Sequence, residues 1–143
     1  MLEMPIDDLS ELVIGCAMAV HSELGPGLLE SIYRDCLKIE LVSKGLSVDV
    51  EKQVPVFYRG TRIRSDLRID LLAAGRLVVE IKATDRLHAV HQAQVITYLK
   101  LTGCPAGLLI NFNATSIRSG LKRLDHPDVY LAKLKARRPA NEK

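Results

Sequence analysis

The stretch Asp70–Lys82 reads DLLAAGRLVVEIK and places two apolar runs on either side of a short turn. Turn residues between two runs of this kind predict an antiparallel pair of strands. Side chains alternate between the two faces of a strand, so Glu80 and Lys82 share one face. If the turn is centred on Gly75, Asp70 lies directly across from Glu80. The register of this hairpin therefore decides which charged groups the fold brings together.

Two carboxylates that face each other on adjacent strands repel, so a cation has to compensate them. Mg²⁺ or Mn²⁺ would do so, because these ions prefer carboxylate, carbonyl and water oxygens. A register shifted by two residues would instead pair Asp70 with Lys82 in an ordinary cross-strand salt bridge. The salt bridge is the commoner arrangement for such a motif on its own, and both alternatives stay open at this point.

A polar stripe follows the hairpin on a predicted helix covering about residues 89–101. His91, Gln94 and Tyr98 are spaced three and four apart, which places them on one helix face. The amide of Gln94 and the hydroxyl of Tyr98 are suited to orient a water molecule, a metal ligand or a phosphate by hydrogen bonds. A surface glutamine beside a half-buried tyrosine is the simpler explanation of the pair alone.

The remaining sequence predicts an α/β sheet with helices packed on it. Apolar residues at helical spacing predict two helices before the hairpin, separated by the break Gly25-Pro26-Gly27, and Glu30 lies near the start of the second. Alternating or continuous apolar runs predict strands before and after the hairpin. The predicted order is α-α-β-β-β-β-α-β-β-α, with helices at about 7–24, 28–44, 89–101 and beyond Pro127, and strands at about 46–57, 62–64, 67–72, 77–82, 106–112 and 121–124.

Chain length and net charge indicate how many domains to expect and which partners are possible. A chain of 143 residues with 48% hydrophobic and 26% charged residues is expected to form one domain with its own core. The net charge of +3 permits a polyanionic partner without requiring one. Positive charge is clustered in two places, and each cluster is either a solvated rim or a contact for a polyanion. The clusters are Arg59, Arg62, Arg64 and Arg68 in the centre, and Lys133, Lys135, Arg137 and Arg138 near the end.

The cysteines and the apolar segments bear on the cellular location of the protein. Cys16, Cys36 and Cys104 are an odd number without metal-ligand spacing, which is typical of free thiols in a reducing cytoplasm. The apolar run near the start follows acidic rather than basic residues and is too short to span a bilayer. We therefore expect a cytoplasmic protein that does not bind a membrane.

Taken together, these motifs resemble the PD-(D/E)XK nuclease superfamily, in which an acidic residue on one strand, a Glu-x-Lys on the next and a first-helix glutamate surround a divalent metal. The segment Gln94–Tyr98 is similar to the Q-x-x-x-Y element of RecB-like members. The segment Gly27–Tyr33 resembles the signature of the bacterial and archaeal GxxExxY proteins. The resemblance covers about residues 9–124 and includes four separated elements in order. Ile69 departs from it, because the superfamily name has Pro there, at a position that provides no metal ligand.

This resemblance implies a restriction-endonuclease-like core, a mixed β-sheet flanked by helices. We expect it over residues 1–125, with 126–143 as a basic C-terminal helix or tail. It also implies a Mg²⁺- or Mn²⁺-dependent nuclease acting on DNA or RNA, and homodimers occur in the superfamily. Asp70, Glu80, the Ile81 carbonyl and Glu30, directly or through water, would hold the metal; Lys82 would position the attacking water or stabilise the phosphate; and Gln94 and Tyr98 would hold the geometry.

Two other functions remain open from the sequence. The chain could keep the nuclease fold as a non-catalytic module that binds nucleic acid or a partner protein. It could also be a structural protein in which the acids and Lys82 form salt bridges. Retention of clustered acids favours the nuclease, because a scaffold has no physical need for them.

Overall fold

The computed structural model describes residues 3–137, which form a mixed sheet flanked by helices. The elements are α1 (Ile6–Leu24), α2 (Glu30–Ser43), β1 (Val48–Gln53), β2 (Val56–Tyr58), β3 (Thr61–Ile63), β4 (Arg68–Ala73), β5 (Leu77–Lys82), α3 (Ala89–Thr102), β6 (Ala106–Asn111), a 3-10 turn (Arg118–Gly120), β7 (Leu121–Asp125) and α4 (Pro127–Arg137). The strands of the main sheet lie in the order β1-β4-β5-β6-β7, where β5 and β6 are parallel and the other neighbours antiparallel. The predicted fold class is confirmed.

Hydrophobic residues cover both faces of the central strands. On one face, α1 and α2 pack against β4, β5 and β6, with Leu37 and Val79 fully buried between them. On the other face, α3 packs through Val95 and Leu99 against the opposite side chains of the same strands. Burial of this apolar surface is the main force that fixes the helices on the sheet.

The predicted strand over residues 46–57 is wrong in one respect, because the structure divides it. β1 ends at Gln53, and β2 begins at Val56 and pairs with β3 outside the main sheet. Pro55 stands at the division and has no N–H to donate to a ladder. Arg59 and Gly60 connect β2 to β3 with φ values of 50° and 82°, as a two-residue type I′ hairpin turn requires.

Several strand ends and the β2–β3 hairpin lie together at one end of the sheet. Gln53 at the end of β1 pairs with Arg68 at the start of β4, while β5 and β6 run parallel and end together at Lys82 and Asn111. β4 and β5 are antiparallel, so the start of β4 lies beside the end of β5. The β2–β3 hairpin, which connects β1 to β4, therefore emerges at this same end.

The C-terminal segment forms the predicted helix as far as it is described. α4 covers Pro127–Arg137 of the described residues, and Arg138 of the predicted basic cluster lies outside them. The division into a domain over 1–125 and a tail stays a prediction. No helix within residues 3–137 has the length and apolar character needed to cross a membrane.

Candidate metal and nucleic-acid site

The β4–β5 hairpin has the register that places the two carboxylates opposite each other. Leu71 pairs with Val79 and Ala73 with Leu77, so the hairpin is centred on Gly75. The alternative register is wrong, and within residues 3–137 no ion pair joins Asp70 to Lys82. The charged groups of this motif therefore remain available for other partners.

Asp70 and Glu80 fasten the strands where the backbone ladder stops. The Asp70 backbone N–H donates to Glu80 Oε1 at 3.0 Å, and the Ile81 backbone N–H donates to Asp70 Oδ2 at 2.8 Å. Each carboxylate thus accepts a hydrogen bond from the opposite strand beyond the last backbone pair. This exchange fixes both side chains without using a cation from the protein.

Glu80 lies in an unfavourable electrostatic environment. Its side chain is 3% exposed, and burial together with the negative charge of Asp70 raises the pKa of Glu80 to about 8. The Asp70 backbone N–H and the charge of Lys82 act in the opposite direction without cancelling these effects. Without a further positive charge, Glu80 keeps its proton at neutral pH. A divalent cation held by both carboxylates would supply this charge, because Mg²⁺ and similar ions take carboxylate oxygens as ligands.

The carboxylates open into a cleft of about 180 Å³ between three elements. α2 provides one wall, β4 and β5 provide the floor, and α3 provides the other wall. Of the residues predicted from sequence, six line this cleft together. They are Glu30, Asp70, Glu80, Ile81, Lys82 and Gln94, and Ser31 and Arg34 of α2 join them.

Tyr98 acts behind the cleft rather than in its wall. The Gln94 amide Nε2 donates to Tyr98 Oη at 3.2 Å, and the tyrosine is 2% exposed. Burial, followed by the negative charge of Glu80, raises the pKa of the Tyr98 hydroxyl, so it stays neutral. The tyrosine therefore holds the Gln94 amide in place from one turn further along α3.

The acidic groups at the cleft are a facing pair with a third at a greater distance. Within residues 3–137, no group of three or more His, Cys, Asp or Glu side chains lies close enough together to hold a metal ion. Asp70 and Glu80 form the pair, and Glu30 lines the cleft from α2. A cation here would therefore take its remaining ligands from a backbone carbonyl and from water.

Comparison with known proteins identifies the family of the chain. The profile of one family, described as the PD-(D/E)XK nuclease superfamily, matches residues 7–124. The chain belongs to the PD-(D/E)XK nuclease superfamily. No curated protein and no solved structure matches it. PD-(D/E)XK nucleases generally depend on divalent metals, which agrees with the environment of Glu80.

In this PD-(D/E)XK protein the loop before α2 is tied to the core by Tyr33. The Tyr33 hydroxyl donates to the Gly25 carbonyl at 2.6 Å and accepts from the Leu28 backbone N–H at 3.1 Å. Its ring is fully buried and stacks on Phe112, with the ring centroids 4.6 Å apart. These contacts set where α2 begins and thereby place Glu30, its first residue, at the cleft.

Asn111 holds the chain that follows Lys82. It is 3% exposed, its amide Nδ2 donates to the Thr84 carbonyl at 2.9 Å, and its Oδ1 accepts the Thr84 and Asn113 backbone N–H groups at 3.1 Å. The Phe112 backbone N–H also donates to the Lys82 carbonyl at 2.9 Å. The ends of β5 and β6 are therefore locked together beside the cleft.

The sequence did not single out Ser31 and Arg34 as site residues. Arg34 follows Glu30 by four residues, a spacing that places both on one helix face and would have identified it. Its guanidinium is 3.0 Å from Glu51 and 3.2 Å from Asp35, and its side chain is 20% exposed. The arginine lines the wall opposite Gln94, with its guanidinium paired to these two carboxylates.

Proposed function

We propose that this PD-(D/E)XK protein hydrolyses phosphodiester bonds of DNA or RNA with Mg²⁺ or Mn²⁺. The observation that supports the proposal most directly is the buried Glu80 beside Asp70, at the floor of a cleft that also contains Lys82. Burial gives the carboxylate pair an unmet need for positive charge. An arrangement that served only stability would be expected to pair these acids with Lys82 or to replace them by apolar residues.

The cation would be held by Asp70, Glu80 and the Ile81 carbonyl. Glu30 would contribute through water, because the third carboxylate lies outside the close pair. When bound, a divalent cation supplies a Lewis acid that lowers the pKa of water and neutralises charge on a phosphate.

The other cleft residues would act on the substrate. The Lys82 ammonium would position the attacking water or stabilise the negative charge that builds on the phosphate. Arg34 would face the same phosphate from α2, and Gln94, held by Tyr98, would orient the water by a hydrogen bond. Water adds to phosphorus and the bond to one ester oxygen breaks, which leaves one phosphomonoester end and one hydroxyl end.

We also propose that the chain belongs with the GxxExxY proteins and the Q-x-x-x-Y members of the superfamily. Gly27 has a φ of 103°, which L side chains rarely adopt, Glu30 lines the cleft, and Tyr33 fastens the loop between them. The Gln94–Tyr98 hydrogen bond gives the Q-x-x-x-Y motif a physical role.

We also propose a cytoplasmic location. The three cysteines, Cys16, Cys36 and Cys104, are free thiols, which is typical of a reducing compartment.

Cleavage assays test the nuclease. Purified protein is incubated with single-stranded DNA, duplex DNA and RNA in Mg²⁺ or Mn²⁺, alongside Asp70→Asn and Lys82→Ala. Each substitution should lower the rate by about 100-fold or more, because Asp70→Asn removes a proposed metal ligand and Lys82→Ala removes a positive charge that acts at the phosphate. Asp49→Asn and Lys100→Ala, which change exposed residues that do not line the cleft, should cleave like the wild type.

Two results would contradict the proposal. Cleavage that persists in both Asp70→Asn and Lys82→Ala would come from another site or a contaminant. A wild-type protein that cuts none of the substrates, and gives no heat of binding when titrated with Mg²⁺ or Mn²⁺, would instead be a non-catalytic binding module. Sedimentation of the same samples would determine whether the protein forms the homodimer that the superfamily allows.

A further inference from the structure

The β2–β3 hairpin is a projection that the proposed catalytic cleft does not use. Neither strand pairs with the main sheet. The hairpin and its flanks, residues 55–66, are exposed apart from the half-buried Val56. Its base is closed by the Val54 backbone N–H, which donates to the Leu67 carbonyl at 2.9 Å.

The hairpin lies at the same end of the sheet as the carboxylates. Leu67 at its base lines a cavity with Gln94 and Tyr98 of α3. Asp70 follows Arg64 by six residues, which span about 20 Å at most in an extended strand. A polymer held along the hairpin would thus pass within a few nucleotides of the cleft.

Three arginines of the hairpin carry uncompensated positive charge. Arg59, Arg62 and Arg64 are exposed, and none of them takes part in an ion pair within residues 3–137. By contrast, Arg76 and Arg123 elsewhere on the surface each contact a carboxylate. Such a cluster attracts a polyanion, and guanidinium groups bind phosphate oxygens in a planar, bidentate manner.

Exposed aromatic rings accompany these arginines. Phe57 and Tyr58 are 60% and 63% exposed, and as neighbours on a strand they occupy opposite faces of the hairpin. Arg62 stands across from Phe57, and the Arg59 guanidinium lies 5.4 Å from the centre of the Tyr58 ring. These rings add nothing to the core, whereas rings beside guanidinium groups suit the stacking of unpaired bases.

We propose that the β2–β3 hairpin binds single-stranded nucleic acid, with bases stacked on Phe57 and Tyr58 and phosphates bound by Arg59, Arg62 and Arg64. Delivery of that strand to the cleft rests on the proposed nuclease function, while the binding itself does not. A duplex held only by its phosphates would use the arginines but leave the rings without partners, because its bases are stacked and paired. The rings therefore favour a single strand.

Binding is measured in EDTA, so that cleavage plays no part. Fluorescence anisotropy follows labelled single-stranded DNA, single-stranded RNA and duplex DNA of one sequence, each about 30 nucleotides long, over a range of salt concentrations. Phe57→Ala/Tyr58→Ala should weaken single-strand binding by about fivefold or more with an unchanged salt slope. Arg59→Gln/Arg62→Gln/Arg64→Gln should reduce the salt slope by about two units, since each phosphate contact contributes about 0.7.

The control changes the same number of charges elsewhere. Lys38→Gln/Lys44→Gln/Lys100→Gln removes three exposed cations outside the hairpin and should leave the salt slope unchanged. Circular dichroism and thermal melting would verify that every variant is folded. The DNA and RNA probes distinguish the two kinds of single strand, and binding to either one supports the proposal.

Four results would overturn it. Hairpin variants that bind like the wild type, or a lysine control that loses as much slope, would place binding elsewhere. If the wild type binds duplex DNA as tightly as single strands, and Phe57→Ala/Tyr58→Ala changes neither affinity, the hairpin is a duplex contact. If the hairpin variants lose a dimer that the wild type forms in sedimentation, and their nucleic-acid affinity is unchanged, the hairpin is a self-association surface. A wild type that binds through the hairpin but never cuts would refute only the nuclease.

Discussion

At the scale of single residues, Glu80 is the group whose buried position is hardest to explain by a contribution to the stability of the fold. A carboxylate that is 3% exposed and faces Asp70 loses its hydration without gaining a matched cation. Folding therefore has to overcome an electrostatic cost at this site. Proteins accept such costs mainly where a ligand or a reaction requires the group.

This cost predicts an unusual pH dependence of stability in EDTA. Folded Glu80 keeps its proton up to a pKa of about 8, whereas the unfolded chain releases it near the ordinary value of 4.5. Between these values the folded state binds the additional proton, so the free energy of unfolding falls as pH rises, by up to about 1.4 kcal/mol per pH unit. Urea unfolding at about pH 5, 6, 7 and 8 measures this slope.

The contribution of Glu80 is isolated by comparison with a variant. Glu80→Gln cannot ionise, so the difference in unfolding free energy between wild type and variant should change steadily over this pH range. Glu30→Gln changes an exposed glutamate of the same cleft and should keep the wild-type slope. A difference between wild type and Glu80→Gln that is the same at every pH would show that Glu80 ionises normally.

At the scale of elements, the sequence predicted the helices and most strands but not the register of the central hairpin. A shift by two residues keeps every apolar side chain on the same face, so burial does not distinguish the two registers. The observed one, with Leu71 across from Val79, follows from the turn centred on Gly75. The break in the predicted long strand had a local signal in Pro55, which cannot donate to a ladder.

The α2 wall of the cleft was harder to predict, because it depends on contacts between distant segments. Glu30 could be identified only through a motif, and Ser31 and Arg34 were not identified at all. What places them is the attachment of the preceding loop to Tyr33, and of Tyr33 to Phe112, far along the chain. No spacing within α2 reveals that attachment.

The connection between β6 and β7 offers a test of local packing. A Cβ on Gly120 would lie 2.6 Å from the Asn111 carbonyl oxygen and 2.7 Å from Ala114 Cβ. Since one of these atoms is backbone, Gly120→Ala has to displace the end of β6, and should lower the free energy of unfolding by about 1–3 kcal/mol. Chemical denaturation measures the change.

Gly15 provides the matched control. It lies within α1, exposed, and a Cβ there would meet nothing within 4 Å. Gly15→Ala should therefore stabilise the protein by about 0.5–1 kcal/mol, because alanine is the better helix former. If Gly120→Ala does not lower the free energy of unfolding, the close contact between Gly120 and the Asn111 carbonyl does not constrain the end of β6.

At the scale of the whole molecule, the two proposed sites lie at the same end of the sheet. The cleft is built from β4, β5, α2 and α3, whose positions depend on both hydrophobic cores. The hairpin leaves the sheet through a base closed at Val54 and Leu67 and contributes no strand to it. Metal binding and strand binding should therefore be separable in the folded protein.

A deletion tests this separation. Residues 55–66 are replaced by Asn-Gly, which joins Val54 to Leu67 by a two-residue turn suited to a hairpin. The deleted protein should fold and keep the rise in melting temperature that Mn²⁺ causes by binding only the native state. Its affinity for single-stranded DNA in EDTA should fall by about tenfold or more.

Asp70→Asn should behave in the opposite way, losing the rise in melting temperature with Mn²⁺ while binding single-stranded DNA like the wild type. A deleted protein that loses the Mn²⁺ effect would show that the hairpin shapes the cleft, and one that binds DNA unchanged would remove the hairpin from substrate binding.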